Sequence, residues 1–434
     1  MRPLRKIVVL GANGAMGSGS GAVFASAGIP TVFLARTLEK AEAGRSRAEQ
    51  LAKGKVAPRS IGVATYDDMA RVIGEADLVF EAVSEDLGVK RQVFALVDRV
   101  RAAGTIVATV SSGLSIAALC ADRNEDFRRH FLGVHLFNPP TVIPGCELIA
   151  HRETDEEVVA VMRNVLEATF GRVVVECADT PAFAGNRIGF KLLNEVAQLA
   201  GEHGVAYMDQ LLGSHTGRAL APLATIDLVG WDVHKAIVEN LYTNTRDEAH
   251  ACFALPAYVQ RGIDTGHLGR KTRDKGGFFR VEGKGPDAEH FVLDPATGGY
   301  RSLVEHMPPM PALVERMKAA IRTGHYPAAL DVLCRAAGKE AEILRRVMLG
   351  YISYALGRVG EVVSRARDVD RIMGFGFNWA PPGVLVDAIG ARRTIDLLDA
   401  AGLPVPPVVE QAAAANRPLF DEPNVEPARF FVAG

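Results

Sequence analysis

A histidine and a glutamate twelve residues apart are the side chains in this sequence best suited to acid–base chemistry. His135 lies in HLFNPP and Glu147 in PGCELI, each beside a short apolar run. A carboxylate on one imidazole nitrogen orients the ring, makes it more basic and stabilises its protonated form. Oxidation of an alcohol by a nicotinamide requires such a base, because the hydroxyl proton leaves oxygen as hydride leaves carbon. The pair therefore predicts alcohol oxidation, whereas a single histidine after a strand is more often structural.

Polar side chains also follow two other predicted strands. Glu85 and Lys90 lie in EAVSEDLGVK, and Ser111 and Ser112 lie in ATVSSGLS. Ligands of a doubly wound sheet bind at the carboxyl ends of its strands, so these groups are expected at one edge of the sheet together with His135. That shared edge favours a catalytic histidine over a structural one.

Three glycines near the start of the chain, in VVLGANGAMGSG, predict a turn that cradles a dinucleotide phosphate. Their spacing is G-x-x-G-x-x-G rather than the usual G-x-G-x-x-G, and a purely structural turn before a helix is the alternative. The residues expected to contact the cofactor here are Gly11, Asn13, Gly14, Ala15, Met16 and Gly17.

The second predicted strand ends in a cation. Arg36 stands where an acidic residue would bind a ribose diol, and Thr37 and Lys40 follow it. These donors predict a site for the 2′-phosphate of NADP. The alternative is that Arg36 stacks on the adenine or points into solvent.

Alternating apolar strands and helical segments predict a Rossmann-type, doubly wound and mostly parallel sheet over residues 1–184. The predicted strands are 7–10, 31–35, 77–83, 105–110, 131–136, 146–149 and 172–176.

Composition narrows the class of protein. The 434 residues have a formal net charge of −2 and are 48% hydrophobic, so a nucleic-acid or membrane surface is not expected. The apolar run after Arg5 is too short for a signal peptide, and no stretch reaches the length of a membrane span. Five scattered cysteines predict reduced thiols and a cytoplasmic protein. No metal site is predicted.

Nearly the whole sequence resembles the L-3-hydroxyacyl-CoA dehydrogenase family. The motifs that carry the resemblance are VLGANGAMG, EAVSEDLGVK, SSGLS, HLFNPP with its downstream glutamate, DTPAFAGNRI and GHLGRKTRDKGGFF. The resemblance implies that His135 is the base and Glu147 its partner. It implies that Ser112 and Asn186 bind the reacting oxygen or the acyl chain, although Asn186 at a helix start has an equally plain structural role. Glu85 and Lys90 would lie near the nicotinamide, and the substrate contacts expected besides Ser112 are Asn138, Lys53 and Lys55.

Three residues depart from the family pattern. Arg36 replaces the usual aspartate at the second strand end, which leaves NAD and NADP both open. Asp86 and Val110 each replace an asparagine, which bears on cofactor contacts or substrate choice.

The second half is expected to be all-α and duplicated, apart from a hairpin at 276–281 and a turn at 294–300. DQLLG from Asp209 is similar to DRIMG from Asp370, and PLATIDLVG from Pro222 is similar to PGVLVDAIG from Pro382. The predicted divisions are a first helical repeat, residues 185–300, and a second helical repeat, residues 301–434. The helical part resembles the tail of 6-phosphogluconate dehydrogenases. In short relatives this part dimerises, so two copies predict an internal pseudo-dimer in a monomer, or a homodimer.

The predicted function is reversible oxidation of L-3-hydroxyacyl-CoA with NAD or NADP in fatty-acid β-oxidation. The sequence resembles no hydratase domain, so a separate enoyl-CoA hydratase is an expected partner. Two alternatives stay open: a dehydrogenase of the same fold for a sugar acid or a carnitine-like alcohol, and a non-catalytic nucleotide sensor. The sensor is disfavoured because it would need only the glycines.

Overall fold

A computed structural model describes residues 4–422 and 425–433. Its contacts divide the chain into two compact units. The first unit comprises the residues up to Ala184 together with Glu361–Ser364 and Phe375–Phe377, and the second comprises the rest from Gly185 onward. The further predicted division at residue 300 stays a prediction.

The first unit is built on one eight-stranded sheet with the strand order β3-β2-β1-β4-β5-β6-β7-β8. Strands β1 to β6 run parallel, β7 is antiparallel to β6, and β8 is parallel to β7. The predicted doubly wound, mostly parallel sheet is therefore confirmed. The strands are β1 Ile7–Leu10, β2 Thr31–Ala35, β3 Gly62–Thr65, β4 Leu78–Glu81, β5 Ile106–Thr109, β6 Phe131–Leu136, β7 Gly145–Ile149 and β8 Val173–Cys177.

Helices pack against this sheet and bury its apolar residues. The ring of Phe24 lies 5.0 Å from that of Phe80 and 4.8 Å from that of Phe170, joining helix, strand and the segment before β8 in one core. The helices are α1 Ala15–Ser26, α2 Leu38–Leu51, α3 Met69–Gly74, α4 Leu87–Val100, α5 Ile116–Cys120, α6 Glu125–Arg129 and α7 Glu156–Asn164.

The second unit is mainly helical, but it is not all-α as predicted. A three-stranded antiparallel sheet interrupts the helices, with β9 Phe279–Glu282, β10 Glu289–Leu293 and β11 Tyr300–Ser302. The predicted hairpin at 276–281 is thus a turn followed by the first of these strands. The helices are α8 Gly185–His203, α9 Val205–Leu211, α10 Pro222–Val229, α11 Trp231–Asn244, α12 Ala257–Asp264, α13 Leu303–His306, α14 Ala312–Arg322, α15 Tyr326–Arg335, α16 Lys339–Gly357, α17 Ala366–Ile372, α18 Pro382–Ile389, α19 Ala391–Ala400 and α20 Pro407–Ala414.

The repeated aspartates perform the same task in both repeats. Asp209 accepts hydrogen bonds from Leu223 N and Ala224 N, both at 2.8 Å. Asp370 accepts from Gly383 N at 2.8 Å and Val384 N at 3.2 Å. Neither α10 nor α18 has a side-chain cap at its own N-terminus. Each helix start is therefore satisfied by an aspartate from the preceding motif.

The second repeated aspartate explains the glycine-rich GRKTRDKGGFF segment. Asp227 accepts from Phe278 N, Phe279 N and the Trp231 indole. A Cβ on Gly277 would lie 2.1 Å from Asp227 Oδ1, so the segment can wrap this carboxylate only because glycine stands there. Asp387, its counterpart, accepts from the amides of residues 419 and 420. The segment is thus structural.

The two repeats contact each other through equivalent segments. Residues just before the repeated prolines pair in antiparallel fashion, Arg218 with Trp379, and Ala380 N donates to Gly217 O at 2.6 Å. The buried Arg218 guanidinium lies 5.1 Å from the Trp379 ring. A self-complementary contact between like segments is the arrangement found at a two-fold interface.

Candidate active site

The β6–β7 hairpin brings His135 and Glu147 together. The two residues are direct partners in the antiparallel ladder, so their side chains lie on the same face of the sheet. His135 Nδ1 lies 2.6 Å from Glu147 Oε2. His135 is 5% exposed and Glu147 is fully buried. The spacing of twelve residues is thus the length of a hairpin that brings Glu147 on β7 directly opposite His135 on β6.

The Glu147 contacts select one tautomer of His135. An ionised carboxylate can only accept, so Nδ1 carries the proton and Nε2 is left to take up another. The other carboxylate oxygen, Oε1, accepts from Ala184 N at 3.0 Å and from the Cys177 thiol at 3.5 Å. These donors fix the carboxylate from the side opposite the imidazole.

The loop after β8 adopts an unusual backbone conformation to reach Glu147. Ala182 and Phe183 have φ of +58° and +55°, in the left-handed region that residues other than glycine rarely adopt. The turn points Ala184 N at Glu147 and sets the Phe183 ring 5.9 Å from His135. The Phe137 ring lies 4.9 Å from His135. Two aromatic rings therefore flank the imidazole.

Glu85 joins the strand end after β5 to the loop after β4. Its Oε1 accepts from Ser111 Oγ at 2.6 Å and from Ser112 N at 2.7 Å. The side chain of Glu85 is 42% exposed, so it retains surface toward solvent. The predicted cluster of Glu85 with the two serines is present at the carboxyl edge, in the same sheet as His135.

Lys90 lies in a buried ion pair. Its side chain has no exposed surface and lies 2.8 and 2.9 Å from the two oxygens of Glu81 and 3.4 Å from Glu85. Its expected position near the nicotinamide stays a prediction. Sequence reasoning missed Glu81, which also accepts from Thr109 Oγ1 at 2.6 Å. A carboxylate at the end of the buried strand β4 was the available signal.

A Cβ is excluded at two glycines of the turn and is accommodated at the third, Gly14. A Cβ on Gly11 or Gly17 would lie 2.4 Å from a backbone oxygen, whereas the nearest atom to a Cβ on Gly14 is 3.4 Å away. Gly14 precedes α1, whose first turn has no acidic residue and no side-chain cap. Free amides and a positive dipole end fit the pyrophosphate of a dinucleotide. Asn13 and Ala15 are exposed beside it, and Met16 is half-buried.

Tyr66 is a further residue at this turn that the sequence did not reveal. It follows β3, a short strand that begins with glycine and was absent from the predicted strands. Its hydroxyl has a backbone hydrogen bond with Gly11, and burial, with a smaller contribution from Glu81, raises its pKa.

The predicted phosphate donors lie at the end of β2. Arg36 and Lys40 are exposed, and neither has an ion pair with a carboxylate among residues 4–422 and 425–433. The Thr37 hydroxyl instead accepts from Lys40 N at 3.3 Å and caps α2. Asp86 likewise caps α4 by accepting from Val89 N at 2.8 Å, a role that the family's asparagine can also fill.

The remaining predicted substrate contacts are scattered. Lys53 and Lys55 are exposed after the C-terminal end of α2, which runs away from the carboxyl edge of β2, so they do not join the His135 cluster. Asn138 is exposed just beyond β6. Asn186 is buried near the start of α8 in the second unit. The roles of these four residues stay predictions.

The carboxyl edge of this sheet, with its open glycine turn and buried acid–base pair, defines a dinucleotide-dependent oxidoreductase. Residues 6–180 match the model described as 3-hydroxyacyl-CoA dehydrogenase, NAD binding domain, and residues 183–278 match the C-terminal domain of the same enzymes. The chain therefore belongs to the 3-hydroxyacyl-CoA dehydrogenase family, whose members are NAD-dependent oxidoreductases.

Individual relatives agree with this placement. A probable 3-hydroxyacyl-CoA dehydrogenase of Bacillus subtilis is 30% identical over 96% of this chain. The 5-formyl-3-hydroxy-2-methylpyridine 4-carboxylate 5-dehydrogenase of Mesorhizobium japonicum is 33% identical over 61% of this chain and 89% of its own length. A 3-hydroxybutyryl-CoA dehydrogenase structure from Escherichia coli K12 covers 95% of this chain and 99% of its own, with a TM-score of 0.69 at 22% identity, which supports the fold. This chain spans only 55% of the length of the Bacillus relative.

Proposed function

We propose that this protein interconverts an L-3-hydroxyacyl-CoA and the corresponding 3-ketoacyl-CoA, as in fatty-acid β-oxidation. The observation that carries the proposal is the 2.6 Å hydrogen bond between His135 Nδ1 and Glu147 Oε2. It leaves Nε2 of a buried imidazole free to exchange a proton, on a sheet that also presents an open dinucleotide turn. Family membership supports an acyl-CoA as the substrate.

In the oxidative direction, His135 Nε2 takes the proton of the 3-hydroxyl group. The ring then carries a positive charge, which the Glu147 carboxylate stabilises across the Nδ1 hydrogen bond. In the reductive direction, the imidazolium returns the proton to the carbonyl oxygen. When bound, a nicotinamide would supply the hydride acceptor or donor for the same carbon. Ser112 and Asn186 are proposed to bind the substrate oxygen or the acyl chain near it.

The chain carries the family's NAD-binding domain. We propose that Gly14 and the start of α1 hold the pyrophosphate, and that Glu85 lies toward the nicotinamide end. Use of NADP through Arg36, Thr37 and Lys40 is a separate proposal, supported by the two exposed cations at the end of β2.

A second candidate substrate class is a hydroxy compound that carries no coenzyme A. The observation that favours it is the Mesorhizobium relative, which is named for a pyridine carboxylate. It would use the same His135–Glu147 pair. Inhibition of turnover by free coenzyme A separates the two classes, since only an acyl-CoA enzyme has a pocket for which coenzyme A competes.

The test is a steady-state assay of acetoacetyl-CoA reduction with NADH and NADPH side by side. Turnover with either coenzyme supports the proposed reaction. An advantage of tenfold or more for NADH would refute the phosphate site at Arg36, Thr37 and Lys40. Failure to reduce any 3-ketoacyl-CoA, with oxidation of another hydroxy acid, would move the proposal to the second class.

We also propose a cytoplasmic location and a functional partner for this protein. In the part of the chain that the structure describes, no helix combines the length and the hydrophobicity of a membrane crossing. All five cysteines are free thiols, which supports the cytoplasm as the compartment. Relatives named as trifunctional fatty-acid oxidation enzymes support a separate enoyl-CoA hydratase as a functional partner.

A further inference from the structure

The Glu147 carboxylate is held by a thiol from a third strand. Glu147 on β7 pairs with Val175 on β8, and side chains alternate along a strand, so Cys177 lies on the same face as Glu147. Cys177 Sγ is 3.5 Å from Glu147 Oε1, and a second acceptor, Val175 O, is 3.7 Å away. One thiol proton cannot serve both, and the charged oxygen is the stronger acceptor. Cys177 is 6% exposed, so solvent does not supply the bond.

We propose that Cys177 is a positioning residue, whose thiol withdraws charge from Glu147 and thereby sets the pH at which His135 exchanges the substrate proton. This inference rests on the proposed function. A donor on Oε1 disperses the negative charge that Oε2 presents to His135 Nδ1. Without that donor, Glu147 binds the imidazolium more strongly, and His135 keeps its proton to higher pH.

The Cys177 thiol is a donor to Glu147 that a side-chain substitution can remove. Oε1 also accepts from Ala184 N, which no side-chain substitution removes. The rings of Phe137 and Phe183 flank His135 and carry no charge. Arg172 interacts electrostatically with Cys146, whose side chain lies on the other face of β7.

The experiment is the pH profile of kcat/KM for Cys177→Ala with acetoacetyl-CoA and 3-hydroxybutyryl-CoA. Oxidation needs the unprotonated base and reduction needs the protonated acid. The midpoint of both profiles should therefore move upward together, by roughly 0.4 pH units for the loss of one weak hydrogen bond. Cys177→Ser restores a donor and should return the midpoint to the wild-type value or below it.

Cys146→Ala is the matched control. Cys146 is a buried thiol like Cys177 and stands one residue from Glu147, but its Sγ lies 3.7 Å from the Glu147 backbone oxygen and not against the carboxylate. Both variants lose a similar buried volume, so both lower Tm. Only Cys177→Ala should move the profile. Equal movement in both variants, or none in Cys177→Ala, overturns the proposal.

An activity-independent measurement separates this proposal from the proposed function. Titration of the His135 ring protons by NMR in the wild type and Cys177→Ala reports the same midpoint without substrate. A shifted NMR midpoint in a protein that turns over no acyl-CoA supports the Cys177 coupling and refutes the substrate assignment. Where Cys177→Ala does not fold, Cys177→Val, which fills the volume without a donor, carries the same expectation.

Discussion

His135 and Glu147 depend on each other because both are buried. An imidazolium in this position has Glu147 as its compensating charge, and the Glu147 carboxylate accepts from His135, Cys177 and Ala184 N in place of water. The pair is therefore suited to a charge that appears and disappears during turnover. Removing His135 removes the base itself, whereas removing Glu147 leaves the base but takes away the charge that stabilises its protonated form.

His135→Gln should abolish turnover, because the amide cannot exchange a proton with the substrate. Nucleotide affinity should stay nearly unchanged, since the glycine turn and α1 are intact. Glu147→Gln should keep measurable turnover, lowered roughly 10²-fold or more, because the base remains but its cation loses its partner. Steady-state rates and fluorescence titration with NADH check both variants. A wild-type rate in His135→Gln would contradict the assignment.

The buried Glu81–Lys90 pair makes a separate prediction about stability. Glu81→Gln leaves the Lys90 ammonium without exposed surface and with only Glu85, 3.4 Å away, as a carboxylate partner. Breaking a buried pair from one side costs about 3–5 kcal/mol of unfolding free energy. Urea denaturation followed by circular dichroism checks this value. The double variant Glu81→Gln with Lys90→Met should recover part of the loss, because it removes the unpaired charge, and no recovery would contradict this account.

At this scale, the sequence predicted residues whose chemistry is visible in their type and spacing. The His135–Glu147 spacing fits a hairpin, and Glu85 precedes a helix. Glu81 had a signal, since it is a carboxylate at the end of a buried strand, whereas Cys177 was out of reach because its importance depends on strand register, which decides which face a side chain occupies. The burial of Lys90 was also out of reach, because nothing in the sequence states that a lysine is fully buried.

Among the elements, α10 and α18 show the duplication most clearly, because an aspartate from the preceding motif caps the N-terminus of each helix. Asp209→Ala and Asp370→Ala should each lower the unfolding free energy by about 1–2 kcal/mol, since each leaves two helix-start amides without their acceptor. The two losses should be similar because the contacts match. Thermal denaturation of each variant checks this prediction. A loss confined to one aspartate would show that the repeats do not use their caps equally.

The same aspartates predict a pH dependence of stability. Burial raises the pKa of Asp209 to about 7 and that of Asp370 to about 7. The folded state therefore binds more protons than the unfolded state between about pH 4 and pH 7. Stability contributed by the neutral form is present below pH 4 and is lost as pH rises through that window. Asp370→Asn, which does not titrate, should show a flatter slope of Tm against pH than the wild type, and an unchanged slope would contradict the assignment.

Element prediction succeeded where runs were unbroken and rich in β-branched or aromatic residues. Strands β1, β2 and β6 were predicted with their observed bounds, whereas β3, with the sequence GVAT, was missed because four residues beginning with glycine give little signal. The small β9–β11 sheet was predicted only as a hairpin and a turn, for a related reason. Its strands are short and partly exposed, so no apolar alternation marks them.

At the scale of the whole molecule, the second repeat covers the first. Helix α8 is buried along most of its length, and α16 supplies part of the cover. Arg187 donates to Tyr354 at 3.0 Å and to Asp247 at 2.9 Å, and Arg346 lies 3.3 Å from Glu195. The Arg187–Tyr354 and Arg346–Glu195 contacts cross between the repeats, whereas the Arg187–Asp247 contact lies within the first repeat.

The full chain is expected to be a monomer, and a fragment ending at residue 300 is expected not to be. Without α16 and α18, the fragment exposes the apolar face of α8 and leaves Arg187 and Glu195 with fewer partners, so it should dimerise through α8 or aggregate. Size-exclusion chromatography with light scattering, at micromolar protein, measures both masses. The variant Arg346→Ala in the full chain is the control, because that side chain is 61% exposed and its loss should leave the monomer intact. A stable monomeric fragment with the Tm of the full chain would show that the second repeat is not needed to cover the first.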